Sequence, residues 1–362
     1  MAIKAKIFGA GSIGNHLANA CRQVGWEVSM VDADSEALER TKNDIYPKRY
    51  GQWDESIKLY TLSDMPVDGF DVILIGTPPD KHLSVAMEVL KKEAPKVLQI
   101  EKPLCSPTLE GLADFIAEAK KHPQTAIVVG YDHILAENTS KTEEILKQGI
   151  FNDLRSLDCE FRSHWANIFK AHSWLVGPQD TYLGFWRRGG GAGGEHSHGI
   201  NLWQHLAHFA GFGRVKEVCA TFKYVQKDGA DYDESCFINL TTEKGLVGRL
   251  AQDVITFSKR KFATMQFSNG YLEWHNDVTK TTDQVIVHKN GEEKQVIEIS
   301  KTRPEEFIRE IKHLEKILNG EISINDSPVR LERGVETMLV LAAAHRSFRE
   351  KRTVEVDYSI LD

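Results

Sequence analysis

The stretch GAGSIG at residues 9–14 constrains the fold of this chain more than any other feature. It follows KAKIF, which predicts a short buried strand. Ile13, Leu17, Ala20, Cys21 and Val24 then recur at helical spacing, and Gly25 closes the helix. A strand that enters a helix through three spaced glycines has a mechanical logic. Gly9 allows the tight turn, Gly11 lets the backbone approach a ligand, and Gly14 lets helix and strand pack closely. Glycines cluster in many loops, so the motif acquires weight from its context, above all from Asp32 at the end of the next strand, WEVSMVD. The helix N-terminus offers unpaired N–H groups and a positive dipole end to phosphates. Asp32 can accept hydrogen bonds from a ribose diol and repels a 2′-phosphate. The reading is a dinucleotide site for NAD, with NADP disfavoured, formed by Gly9, Gly11, Ser12, Ile13, Gly14 and Asp32. Its alternative is a plain glycine turn whose acidic neighbour caps the next helix.

The first third of the chain continues this alternation of strand and helix. SEALERTKND predicts a helix with a serine cap, IKLYT a third strand, and DVILIG a strand followed by a helix from about Asp80 to Lys92. KVLQIE, a helix capped by Thr108, and AIVVGYD complete the series, the pattern of a parallel sheet covered on both faces. Beyond TSKTEEILKQG the pattern changes to strand-like runs separated by hairpin signals, of which Asn269-Gly270 and Glu243-Lys244-Gly245 are the clearest. The fold class expected is α/β: a doubly wound parallel sheet, then an α+β domain with a large, mostly antiparallel open sheet. Domains are expected at 1–130 and 131–362, with the final helices packing back on the body.

With 362 residues the chain is long enough for two cores. A net charge of −7 argues against a nucleic-acid partner, and no apolar stretch reaches membrane-spanning length. The five cysteines are widely spaced and mostly set in apolar sequence, as in reduced thiols of a cytoplasmic protein.

GTPPDKH at 76–82 follows its strand as the glycine loop follows the first, so Thr77, Pro78 and His82 are expected to border the cofactor at the carboxyl ends of the strands. Glu101, Lys102 and Pro103 end the next strand and should emerge at the same crevice. A lysine there can hydrogen bond to a substrate oxygen and stabilise developing alkoxide charge; partial desolvation would lower its pKa. The bland alternative is a surface Glu-Lys pair.

GAGSIG, Asp32, TPPDKH and above all EKP resemble the glucose–fructose oxidoreductase/inositol dehydrogenase family, and RRGGGAGGEHSHGINLWQHLAHFAG at 187–211 resembles its glycine-rich segment leading into a histidine-bearing helix. The resemblance spans essentially the whole chain. It implies a Rossmann domain, a second domain with a large open sheet, a tightly held nicotinamide cofactor, sugar or polyol substrates, and pairing into a homodimer or homotetramer. Carried over, Lys102 matches the family's active-site lysine and His198 its acid–base histidine. Two positions depart from the pattern. Gly194 stands where many members have an Asp, with Glu195 three residues before His198 instead, and Asn201 replaces a usual Asp.

Glu195, His196, His198, His205 and His208 fall within fourteen residues, which raises a metal reading. A catalytic zinc needs three convergent ligands, and one helix does not bring His198, His205 and His208 to one face, so no metal is assigned. The substrate side is expected to include Lys102, His164, Trp165, Arg187, Arg188, Glu195, His198 and Asn201. Aromatic rings and arginines suit a sugar, including one that carries a phosphate or nucleotide. The function expected is NAD-dependent hydride transfer at a carbohydrate alcohol, with catalytic Lys102, His198 and Glu195. Rival readings are an NAD-retaining glycosidase or eliminase of the same family, and a non-catalytic NAD-binding regulator, the latter suggested only by Asn201.

Overall fold

The computed structural model describes residues 2–172, 174–302 and 304–361. These divide into two compact units: Met1–Cys105, Glu110–Asp132 and Pro304–Leu331 form the first, and Ser106–Leu109, His133–Arg303 and Glu332–Asp362 the second.

In the first unit β1 (Lys4–Phe8), β2 (Glu27–Asp32), β3 (Lys58–Thr61), β4 (Val72–Ile75), β5 (Val97–Glu101) and β6 (Ala126–Gly130) form a parallel sheet of order β3-β2-β1-β4-β5-β6. Such strands are buried on both faces, which explains why β4 reads VILI with every residue fully buried. Strand order reverses between β1 and β4, and a doubly wound sheet binds its ligand at the carboxyl ends flanking that switch. GAGSIG follows β1 and GTPP follows β4, so both expected cofactor loops stand at the switch.

Helices α1 (Ser12–Gln23), α2 (Ser35–Arg40), α3 (Tyr46–Tyr50), α4 (Pro79–Lys92) and α5 (Leu112–Ala119) connect the strands. Three local expectations are corrected. The cap of α2 is Asp34, whose carboxylate accepts from the Glu36 amide, and not Ser35. The helix read through Asp44 widens into a π turn at Thr41–Ile45 before continuing as α3. Thr108 does not cap α5, which begins after Gly111; its amide and hydroxyl bond to Ser106 instead. Asp, Ser and Thr all satisfy the same turn geometries, so composition alone does not say which one caps.

The second unit holds β7 (Leu154–Arg162), β8 (Val215–Lys227), β9 (Ala230–Thr242), β10 (Val247–Asp253), β11 (Arg260–Phe267), β12 (Gly270–Thr279), β13 (Thr282–Lys289), β14 (Gln295–Ser300) and β15 (Val354–Glu355). Their order is β14-β13-β12-β11-β7-β10-β9-β8-β15, antiparallel except for β7 with β10. Helices α6 (Glu137–Lys147), α7 (Ala166–Ala171), α8 (Gly191–Glu195) and α9 (Ser197–Phe209) belong to this unit. Trp203 of α9 donates its indole N–H to the Leu157 carbonyl at 2.8 Å, anchoring α9 on β7. No helix among the described residues is long and apolar enough to cross a membrane.

After β14 the chain returns to the first unit as α10 (Glu305–Leu318), and α11 (Leu331–Glu350) rejoins the second. An expected second domain of 131–362 therefore misplaces Pro304–Leu331. Periodicity shows that α10 has an apolar face but not which core receives it. That face is Phe307, Ile311 and Leu314, and Phe307 stacks on His16 of α1 with ring centroids 4.6 Å apart. The following segment adds to the sheet edge, the Val129 amide donating to the Val329 carbonyl at 2.8 Å.

Helix α10 also buries a charge. Glu310 is 3% exposed and Glu101, at the end of β5, 5%. Burial first, and then the charges of Glu101 and Asp132, push the Glu310 pKa well up; burial and Asp132 push Glu101 up as well, opposed by Lys102. Both acids hold protons that the unfolded chain releases at ordinary carboxylate pH. A raised folded-state pKa means stability present in acid and lost as pH rises through the elevated value. Glu310→Gln removes one of these acids while keeping its shape. The melting temperature of the variant should rise relative to that of the native chain as pH goes from 5 to 8. A difference that stays constant over that range would refute the charge-burial account.

Candidate functional site

The glycine loop of the first unit is packed from behind and open in front. A Cβ on Gly14 would lie 1.9 Å from the Gly9 carbonyl oxygen, and one on Gly9, whose φ is +106°, 2.7 Å from the Gly76 oxygen. A Cβ on Gly11 would meet nothing within 4 Å. The loop's carbonyls are tied down: Asn15 Nδ2 donates to Gly11 O at 2.8 Å, and Thr41 Oγ1 to Ala10 O at 2.6 Å. Asp32 holds the loop too, Oδ2 accepting from the Ala10 amide at 2.7 Å and Oδ1 from the Asp34 amide at 2.9 Å. Each carboxylate oxygen has a second lone pair, so this anchoring is compatible with a ribose hydroxyl. Asn15, one turn into α1, and Thr41 were not anticipated from sequence.

The loop after β4 tests the fit of a dinucleotide. Thr77 Oγ1 is buried and has no hydrogen-bond partner among the described residues, an unmet polar group at the strand end where a ligand is expected. Pro78 is exposed. Space in front of Gly11 together with this orphan hydroxyl suits an extended polar cofactor. His82 does not line the cradle as expected. It is fully buried, with Nε2 2.6 Å from the Thr77 carbonyl oxygen and Nδ1 3.0 Å from that of Pro103. Burial pushes its pKa down to about 4. The neutral ring has one N–H, so it donates to one of these two carbonyls and only packs against the other, and it has no exposed surface.

Glu101, Lys102 and Pro103 end β5, next to β4 in the sheet, and the Lys102–Pro103 peptide is cis. Glu101 points inward, its Oε1 accepting from Gln99 Nε2 at 3.2 Å and its carboxylate packing on Gly130. Lys102 is partly exposed at the carboxyl edge. The opening of EKP thus divides its labour: the acid belongs to the interior, and the base stands at the strand end.

In the second unit the glycine run has a structural use. Asp233 of β9 is fully buried against it. Its Oδ2 accepts from the Gly193 amide at 2.7 Å, and a Cβ on Gly191, at φ +73°, would lie 1.9 Å from Oδ1. Burial pushes the Asp233 pKa up to about 7 against the pull of these amides. The run makes room for this carboxyl, and the chain then enters α9 at Ser197, with Glu195 half-buried just before it.

His198 is 8% exposed, and its ring lies 4.3 Å from that of His133. His133 Nε2 is 3.1 Å from the Lys261 ammonium, which fixes Nε2 as the acceptor. His133 was missed from sequence because nothing local distinguishes YDH at a strand end. The rest of the histidine cluster disperses: His205 pairs with Glu143 at 2.6 Å, His208 with Glu336 at 3.2 Å, and His196 faces Ser163 at 3.4 Å. Asn201 is 4% exposed; its Nδ2 donates to Thr337 Oγ1 of α11 at 3.0 Å, while its Oδ1 is buried with no hydrogen-bond partner among the described residues. Trp165 is buried against Phe169 and Tyr232. His164 stacks on exposed Phe257 at 4.0 Å. Arg187 is exposed, 3.4 Å from Asp231 and over the Trp186 ring, while Arg188 lies over Phe185.

The contrast between Gly11 and Gly14 has a measurable consequence. Gly14→Ala forces a methyl into the Gly9 carbonyl and should lower the melting temperature of the cofactor-free protein sharply. Gly11→Ala, at φ −82° and with open space ahead, should melt like the native chain yet fail to bind NADH in a fluorescence titration. Normal NADH affinity in Gly11→Ala would show that no diphosphate passes in front of this loop.

No curated protein matches the chain. Solved structures share its fold over almost its full length. The WlbA dehydrogenase from Bordetella pertussis, in complex with NADH and UDP-GlcNAcA, is 17% identical with a TM-score of 0.72, covering 99% of each chain. The aldose-aldose oxidoreductase from Caulobacter crescentus, complexed with glycerol, is 17% identical with a TM-score of 0.74, covering 98% of this chain and 100% of that one. Levoglucosan dehydrogenase, in complex with NADH and L-sorbose, is 16% identical with a TM-score of 0.75, covering 99% and 100%. Residues 3–131 match the model of an oxidoreductase family's NAD-binding Rossmann fold, and residues 144–356 match that family's C-terminal alpha/beta domain. The chain belongs to the glucose–fructose oxidoreductase/inositol dehydrogenase family of oxidoreductases.

Proposed function

We propose that this protein is an NAD-dependent dehydrogenase that transfers hydride between a carbohydrate alcohol and nicotinamide, the alcohol being a sugar, a polyol or a nucleotide-linked sugar. The observation that carries the reading is the position of Lys102, one residue past β5 at the carboxyl edge of the sheet that bears the glycine loop. The family supplies the cofactor, and the relatives bound to NADH with sugar ligands supply the substrate class. Bound NAD would provide the hydride acceptor.

The roles proposed for the chain's own groups follow from their chemistry. Lys102 hydrogen bonds to the substrate oxygen and steadies its negative charge as the hydroxyl proton leaves. His198 takes that proton, oriented by Glu195. Gly9, Gly11, Ser12, Ile13 and Gly14 carry the diphosphate, and Asp32 the adenosine ribose in preference to a 2′-phosphate. Residues 131–362, without the segment that returns as α10, would bind substrate. They would also support a homodimer or homotetramer through the open sheet face, where Phe237 and Val247 are 42% and 50% exposed beside Cys219. Reduced, unpaired cysteines fit a cytoplasmic location.

A panel of sugars, polyols and nucleotide-linked sugars followed at the reduced-nicotinamide absorbance tests the reading. At least one substrate should produce net NADH. Lys102→Met should then lower kcat about 100-fold or more with NADH affinity unchanged. Near-normal turnover in Lys102→Met, or product formed without net NADH, would refute it.

A further inference from the structure

Residues 41–50 form a clasp on the glycine loop. The π turn at Thr41–Ile45 opens it, and π turns recur at functional sites. At one end Thr41 bonds to the Ala10 carbonyl. At the other, Arg49 reaches the first turn of α1 with two bonds to one residue: Nη1 donates to the Ser12 carbonyl at 2.9 Å and Nη2 to Ser12 Oγ at 2.8 Å. The neighbouring Tyr50 is fixed as well, its hydroxyl 2.6 Å from His16 Nδ1 and its ring edge-on to Tyr46. The guanidinium is thus half-buried and held in a defined place beside Ser12.

Charge balance gives that place a meaning. A dinucleotide's diphosphate brings two negative charges, whereas a helix N-terminus supplies only about half a positive one. GAGSIG contains no cationic side chain, and Asp32 adds a further negative charge.

We infer that Arg49 is a diphosphate-binding residue of this chain, bringing a positive charge to the glycine loop beside Ser12. The inference rests on the NAD reading above and adds a specific cation to it. The adenosine ribose is assigned to the Asp32 side of the loop, so the phosphate concerned is the bridging diphosphate and not a 2′-phosphate.

The test uses full-length protein and three readouts. Arg49→Met should weaken NADH about 10- to 100-fold by fluorescence titration, the range expected for loss of charge-assisted hydrogen bonds. Adenosine, which carries no phosphate, should bind as before in a saturation-transfer NMR titration, and the cofactor-free melting temperature should hold. Arg49→Lys keeps the charge without the planar fork and should recover most of the NADH affinity. Unchanged NADH affinity in Arg49→Met overturns the proposal, and so does a proportional loss for adenosine, which would mark Arg49 as a strut for the loop. If Arg49→Met does not fold, an Arg49→Lys variant as weak as the loop mutant Gly11→Ala overturns it in the same way. A native chain that binds no NADH overturns both this proposal and the cofactor reading, whereas the variant arms bear on Arg49 alone.

Discussion

The first unit depends on one close contact, the packing of Gly14 against the Gly9 carbonyl, where no side chain fits. This contact sets the first turn of α1 directly on the end of β1. The placing of the helix N-terminus and the open face of Gly11 follow from it. Asn15, Thr41 and Asp32 then hold the loop's polar groups from behind. The result is a rigid surface of amides, pre-organised before any ligand arrives, so little ordering entropy is left for binding to meet.

A second theme is the use of buried polar groups as struts. His82 sits between carbonyls of the loops after β4 and β5 and donates its one N–H to one of them. Glu101 and Glu310 meet in the interior with Gln99 between strand and helix, a proton-holding cluster behind Lys102. In the second unit Asp233 fills the hollow that the glycine run leaves. Each group costs desolvation, and each is matched by backbone partners or a retained proton that limit the cost. Residues that look catalytic in a list are here partly scaffolding, which leaves Lys102 and His198 to carry the proposed chemistry.

Much of this was legible from sequence, and the reasons differ from residue to residue. GAGSIG, Asp32 and EKP were readable because their meaning is local: a glycine spacing, a strand end, a neighbour one turn away. The hairpins at Glu243–Gly245 and Asn269–Gly270 were readable for the same reason, since a turn's residues encode its geometry. His82 was assigned to a ligand because a polar residue near a motif invites that reading, and only burial shows that backbone carbonyls have claimed it.

By itself, then, the order of residues determined the βαβ start, the parallel and antiparallel character of the two sheets, and the place of the lysine at a strand end. These are set by periodicity and by backbone sterics over a few residues. Tertiary structure alone decided that α10 returns to the first unit and stacks Phe307 on His16, that Asp233 rather than a ligand occupies the glycine hollow, and that Arg49 reaches Ser12 across 37 residues. An amphipathic face or a charged side chain advertises what it needs. Which distant surface meets that need is decided only when the whole chain has packed.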